Sequence, residues 1–213
     1  VTGVQTCALP ISEVNKLIDT LKTAGLEPTS IDLDTFACVN AFEFSNPDAK
    51  SKVLGLVDFG AEDTTFMIWN KGALVFSRDI AFGGKDVTET IRRKLNISSE
   101  EAFKVQTEFD QATADQKTVA EESLERILHE LSLSLSYYYN HHQGTAAIEA
   151  LYISGGFSQF PILRDLLQRK VEVPVHAWDP TSGLSLAASV NQESVKSLVP
   201  YLPVSMGLAI RPK

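Results

Sequence analysis

With 213 residues, 44% of them hydrophobic and 22% charged, the chain has the apolar material for one or two compact domains. Nineteen basic against 27 acidic side chains leave a net charge of −8, which disfavours a nucleic-acid-binding role because phosphate backbones need a basic face. No apolar run approaches the roughly 18 residues that cross a bilayer, and the stretch Tyr201–Ile210 is broken by Pro203 and Gly207. Two cysteines, Cys7 and Cys38, make no disulfide framework, so a reducing cytoplasm is the simplest setting.

In chain order, Val1–Ile11 (VTGVQTCALPI) has neither a helical nor a strand period. It matches, residue for residue, the translation of a common sequencing adapter. The expectation is therefore adapter read-through joined to a truncated gene, with the genuine chain beginning at Ser12 and Cys7 carrying no information. Val14, Leu17, Ile18 and Leu21 then share one face of a predicted helix over Ser12–Ala24, with Ser12 as N-cap and Gly25 as C-cap. Pro28–Leu33 reads as a short strand, Thr35–Phe42 as a helix, and polar Asn46–Lys52 as a linker.

Val53–Val57 reads as a buried strand ending at Asp58, and Phe59–Asp63 as a turn around Gly60. Thr64–Trp69, the turn Asn70-Lys71-Gly72 and Ala73–Ile80 predict a hairpin. Asp86 with Glu89, and Ser98 with Glu101, fit capping boxes at the starts of two helices. A long helix is expected over Lys117–His141; the alternation Leu131–Ser136 also suits a strand, but the surrounding spacing favours helix. Strand Ala150–Ile153, helix Gln159–Arg169, strand Val171–His176 and helical segments Ser185–Val190 and Leu202–Ile210 complete an α/β order with a mixed sheet.

Three glycine turns carry the candidate chemistry. Asp58-Phe59-Gly60-Ala61 with Thr64-Thr65 puts an acid at the carboxyl end of a buried strand, where open α/β sheets bind ligands. Gly60 admits close backbone approach, and Asp58 suits Mg²⁺ held through water. A hairpin with a glycine bulge explains the same residues. Ile153-Ser154-Gly155-Gly156-Phe157 places a double glycine before a helix, a natural seat for a nucleotide, and equally a tight strand-to-helix turn. Phe82-Gly83-Gly84 enters a further helix and is open to both readings.

On these residues the chain resembles, from Glu13 to Ile210, the PilM branch of the actin-like ATPase superfamily, which includes FtsA, actin and the large heat-shock chaperones. Asp58–Phe66 (DFGAEDTTF) is similar to the second phosphate loop, and Phe82–Thr88 (FGGKDVT) to the entry into subdomain IIB. Leu151–Leu163 (LYISGGFSQFPIL) is similar to the adenosine motif, while Val171–Pro180 and Met206–Arg211 resemble the PilM-type ending. The resemblance implies an α/β, ribonuclease H-like actin fold with domain II complete and a remnant of domain I. Residues 12–46 would be returning subdomain IA, 47–198 domain II with IIB helices inserted at about 86–146, and 199–213 a helix returning to domain I. The first phosphate loop and subdomain IC would precede anything present here.

The resemblance further implies ATP with Mg²⁺ as cofactor. The contacts would be Asp58, Gly60, Thr64, Thr65, Gly83, Gly84, Ser154, Gly155 and Gly156, with Mg²⁺ on Asp58 through water and adenosine over Gly155-Gly156. Weak or absent ATPase activity is implied, with no catalytic residue assigned, and weak ATP binding by this chain alone. The implied partners are the tail of a PilN-like inner-membrane protein, docking on domain I, other pilus-machine proteins and further copies of the chain. The implied location is cytoplasmic, peripheral to the inner membrane. A superfamily enzyme of sugar-kinase or exopolyphosphatase type, and an FtsA-like division filament protein, are the rival readings. Glu62 and Asp63 depart from the pattern by putting acids in the phosphate loop, where a lysine or metal is needed to compensate. His141-His142 lack a third nearby ligand and do not make a zinc site. Cys38 reads as a small buried apolar residue, and Tyr137–Tyr139 as core and helix end.

Overall fold

The computed structural model describes residues 10–141 and 147–210, in two compact units, Val1–Leu33 and Asp34–Lys213. In the first unit, α1 (Ile11–Thr23) starts after Pro10 rather than at a Ser12 cap. The Pro10 carbonyl accepts the Glu13 N–H at 2.9 Å and opens the first turn two residues early. Gly25 ends the helix at φ +79, as its position in the sequence predicts. Ile11 is 77% exposed, and Leu9 lies outside the described residues. The strand expected over Pro28–Leu33 is irregular chain. Pro28 offers no N–H to a ladder, and the Asp32 carboxylate takes the Leu33 N–H locally at 2.9 Å.

The second unit is built on a five-stranded sheet in the order β3-β2-β1-β4-β5. Its strands are β1 (Val53–Phe59), β2 (Thr64–Asn70), β3 (Ala73–Ile80), β4 (Ala150–Ser154) and β5 (Val175–Ala177). The first three are antiparallel, whereas β4 runs parallel to both β1 and β5. Lys71 and Gly72, both at positive φ, close the β2–β3 hairpin as a two-residue turn.

Alternation along the strands feeds two cores. Val53, Val57, Phe59, Phe66 and Ile68 face one layer of helices, and Leu54, Leu56, Met67 and Trp69 face the other. The first layer holds α3 (Gly84–Leu95), α4 (Ser99–Thr107), α5 (Ala114–Ser123), α6 (Glu125–His141) and α7 (Pro161–Lys170). Arg78 of β3 staples this layer to the sheet, donating to Glu130 and Ser134 of α6 at 2.8 and 2.9 Å. On the other face lies α2 (Asp34–Ser45), which carries Cys38 and Phe42 into the core. Across α2 packs α9 (Pro203–Ile210), preceded by α8 (Gln192–Leu198).

Several expected elements differ. Asn46–Lys52 is not a linker: Pro47–Ser51 forms a 3-10 turn whose Ala49 carbonyl accepts the Trp69 indole N–H at 3.0 Å. The second unit, which begins at Asp34, therefore continues through it. The single helix expected over Lys117–His141 is two helices. Leu124 breaks it with an i→i−3 bond to Glu121 and drops fully into the core. The strand expected at Val171–His176 shrinks to Val175–Ala177, and the helix expected at Ser185–Val190 lies instead at Gln192–Leu198, where Asn191 caps it. His141 bonds the Tyr137 carbonyl and stacks on the Tyr137 ring, while His142 lies outside the described residues. Of the three tyrosines, Tyr138 is fully buried and its two neighbours are exposed. Among the described residues, no helix is long and apolar enough to cross a membrane.

Candidate functional site

The site grows from the parallel pairing of β1 with β4. In that register Asp58 lies directly beside Ser154, although 96 residues separate them. The Ser154 hydroxyl donates to Asp58 Oδ1 at 2.8 Å, leaving Oδ2 for another partner. Burial pushes the Asp58 carboxyl above its ordinary range; the Ser154 hydrogen bond opposes this, and the charges of Asp63 and Asp34 add to it. Beneath them Cys38 is buried, and its thiol is pushed up by the same burial and by Asp58 and Asp34.

The raised Asp58 value has a consequence for stability. The native state favours the protonated acid, so this group's contribution is fully present below the unfolded carboxyl range, about pH 4, and is lost as pH rises through the folded value. At neutral pH the ionised carboxylate therefore costs stability. Asp58→Asn is expected to raise the melting temperature at pH 7 by a few degrees, for a gain on the order of 1 kcal/mol. Circular-dichroism melts should show the difference shrinking to nothing as pH falls toward 4; a constant gain at all pH values would rule out this electrostatic cause.

After Phe59 the chain makes a tight loop. The Gly60 N–H donates to the Asp63 carbonyl at 2.9 Å, and a Cβ on Gly60 would come 2.8 Å from that oxygen. The loop is gripped by the start of α3, whose Gly84 and Lys85 N–H groups donate to the Gly60 and Ala61 carbonyls at 3.1 and 2.8 Å. Gly83 is bare because a Cβ there would meet the Ala61 carbonyl carbon at 2.6 Å. Asp86 is not the helix cap expected from its spacing with Glu89. It is the third helical residue, accepting the Gly83 N–H at 3.0 Å. The acid at Glu62 has its compensating cation: Lys85 Nζ lies 2.5 Å away, and this hydrogen bond holds the Glu62 carboxyl below its ordinary range. Ser98 and Glu101 form the expected capping box at the start of α4.

At the end of β4, Gly155 takes φ +86, and a Cβ on it would lie 2.2 Å from the Phe59 carbonyl oxygen. Its N–H donates to the Pro200 carbonyl at 2.9 Å. The next residue, Gly156, leaves a bare surface on which the Tyr201 ring rests. Phe157 and Phe160 follow and pack toward Phe59 and Phe109.

Together these elements enclose a cleft of about 920 Å³, lined by Asp58, Gly60, Gly84, Gly155 and Gly156 of the residues marked in the sequence. The other four make contacts within the chain. Thr64 is fully buried and donates to the Phe82 carbonyl at 2.9 Å, and Thr65 donates to Asp79 at 2.8 Å on the neighbouring strand. Ser154 orients Asp58, and Gly83 seats the loop. Sequence reasoning missed the wall supplied by α3 and α4, including Lys85, Thr88, Phe103 and Gln106. Thr88 donates to Gln106 Oε1 at 2.7 Å, which turns the Gln106 amide N–H groups away from Thr88. Nothing in the local pattern marks Gln106, a neutral amide 6% exposed in a short helix. The lining combines aromatic surface, from Phe103, Phe157, Phe160 and Tyr201, with a carboxylate, a glycine loop and a lysine. That is a fit for a nucleoside carrying phosphates: the bare glycines leave room, and Asp58 Oδ2 suits a metal-bound water.

Comparison with known proteins decides the family. Residues 6–213 match the family described as Type IV pilus assembly protein PilM. The chain belongs to the PilM family. A solved PilM–PilN type IV pilus biogenesis complex superposes with a TM-score of 0.81 at 25% identity, covering 93% of this chain and 58% of that chain. Cell division protein FtsA of Bacillus subtilis (strain 168) is 31% identical over 103 residues, 48% of this chain and 23% of FtsA. The ethanolamine utilization protein EutJ of Carboxydothermus hydrogenoformans has a TM-score of 0.64 at 15% identity, covering 96% and 62%. MreB5 of Spiroplasma citri bound to AMPPNP has a TM-score of 0.63 at 14% identity, covering 96% and 65%. These last two bear on the fold alone, which is the actin-like α/β fold implied by the motif series. This chain spans about six-tenths of the length of these solved relatives and about a quarter of FtsA.

Proposed function

We propose that this PilM-family chain contributes one wall of an ATP·Mg²⁺ site to a pilus-assembly scaffold, and that nucleotide in the cleft sets partner binding. The observation that carries the reading is the paired ending of β1 and β4. It brings Asp58 and the Gly155-Gly156 turn to one mouth of a cleft that also receives the Gly60 loop. Asp58, oriented by Ser154, holds Mg²⁺ through water, the Gly60 loop and Lys85 lie along the phosphates, and the nucleoside covers Gly156. The Gln106 N–H groups face the nucleoside from α4. Magnesium would neutralise the phosphate charge beside Glu62 and Asp63.

The partner in this reading is the tail of a PilN-like inner-membrane protein, on the likeness to the PilM–PilN complex. The scaffold is cytoplasmic, held at the inner membrane through that partner, together with other pilus-machine proteins and further copies of itself. Nucleotide acts by population shift, binding one arrangement of the scaffold more tightly than another. Titration calorimetry with Mg·ATP tests the site. Gly156→Val, which fills the nucleoside's seat, is expected to abolish measurable binding, with the melting temperature of the free protein changed by only a few degrees. Undiminished affinity in this variant would place the nucleotide elsewhere.

A further inference from the structure

Tyr201 stands on the seat that the proposed nucleoside needs. A Cβ built on Gly156 would lie 2.3 Å from Tyr201 Cε1 and 3.0 Å from Cζ, so the ring rests directly against the bare glycine. No nucleoside can touch Gly156 while the ring is there, because two groups cannot share one van der Waals surface. The ring is nonetheless held from one side only. Tyr201 is 61% exposed, so the aromatic surface remains largely open to the cleft and to water. Its backbone, by contrast, is anchored: the Pro200 carbonyl accepts the Gly155 N–H at 2.9 Å, and α9 begins two residues later at Pro203.

We propose that Tyr201 is a gate on the nucleoside half of the cleft, closed over Gly156 when the site is empty and rotated off it when the site is filled. The inference rests on the nucleotide reading above. A side-chain rotation is sufficient, since the contact is made by the ring edge and the backbone bond between Pro200 and Gly155 need not break. The closed gate covers an otherwise bare apolar turn and lowers the apparent affinity for any ligand with a nucleoside, in proportion to the closed fraction. It acts at Gly156 and not through Asp58, the Gly60 loop or Lys85, which also line the cleft.

The test is calorimetric titration of the 213-residue chain, its Tyr201→Ala variant and its Tyr201→Phe variant with Mg·ATP and, separately, with Mg·tripolyphosphate. Tyr201→Ala should bind ATP about tenfold more tightly than the unmodified chain. Tyr201→Phe, which keeps the ring, should match the unmodified chain, and all three should bind tripolyphosphate alike. Equal or weaker ATP binding by Tyr201→Ala overturns the gate; if weaker, the ring is a stacking platform and the nucleotide reading stands. Equal tightening for ATP and tripolyphosphate also overturns it, since the effect would not be confined to the nucleoside. Absence of ATP binding in all three overturns the gate, while the nucleotide reading, in which this chain supplies only one wall of the site, is not decided by that outcome.

Discussion

Gly207→Ala is expected to destabilise the second unit by about 3 kcal/mol, a loss of roughly 6–12 °C in melting temperature for a protein of this size. The position lies inside α9, where replacing glycine by alanine would ordinarily stabilise a helix by about 1 kcal/mol. Here the new methyl would lie 1.7 Å from the Ala37 carbonyl oxygen, 2.3 Å from its carbonyl carbon and 2.8 Å from its Cα. All three atoms are backbone, so no rotamer change relieves the clash. Either α9 lifts from α2, exposing Cys38 and Met206 at the packed face, or α2 bends and strains its own hydrogen-bond ladder. Leu208→Ala, one residue on and 48% exposed, is the control and should stay within about 0.5 kcal/mol. Thermal melts of both variants decide the matter. A Gly207→Ala protein as stable as its parent would show that the two helices are not in backbone contact.

The residues that carried the fold in the sequence are those whose signal is local. The short apolar runs Val53–Val57 and Thr64–Trp69, and the Asn70-Lys71-Gly72 turn, lie as expected because strand-forming runs and turn chemistry act over a few residues. The neighbourhood of Asp58 and Gly155 was legible only through the motif series, since nothing local relates positions 96 residues apart in their pairing. Facing was harder to read than position. Thr64 and Thr65 sit at the right spacing for a phosphate loop. They lie at the start of a strand, however, so successive side chains point to opposite faces, one under Phe82 and the other beside Asp79. Gly83 and Ser154 suit a ligand contact in the sequence, because small residues fit both a ligand and a close backbone approach. In the structure their close neighbours are Ala61 and Asp58. The break at Leu124 left no mark at all: its side chain fits the helical stripe, and tertiary burial, not propensity, ends the helix there.

Gly155→Ala is expected to cost at least as much as Gly207→Ala and, unlike it, to damage the site. Two independent penalties meet at this residue. Its φ of +86 with ψ of 154 belongs to a region open almost only to glycine, a strain of about 1–3 kcal/mol for any other residue. A Cβ would also lie 2.2 Å from the Phe59 carbonyl oxygen and 2.5 Å from its carbon, an overlap that adds a further 1–3 kcal/mol, roughly. Gly72→Ala separates the two terms. Gly72 has φ +95, but nothing stands within 4 Å of its Cβ position, so only the strain applies. Gly155→Ala should therefore melt several degrees below Gly72→Ala. Relief of the overlap requires the end of β1 to move, and that end carries Asp58 and the Gly60 loop. Mg·ATP affinity should fall in Gly155→Ala, measured below its melting temperature, while Gly72→Ala binds as the parent does. A Gly155→Ala protein that keeps both its stability and its affinity would show that β1 and β4 do not end in backbone contact, and the geometry proposed for the site would fall with that contact.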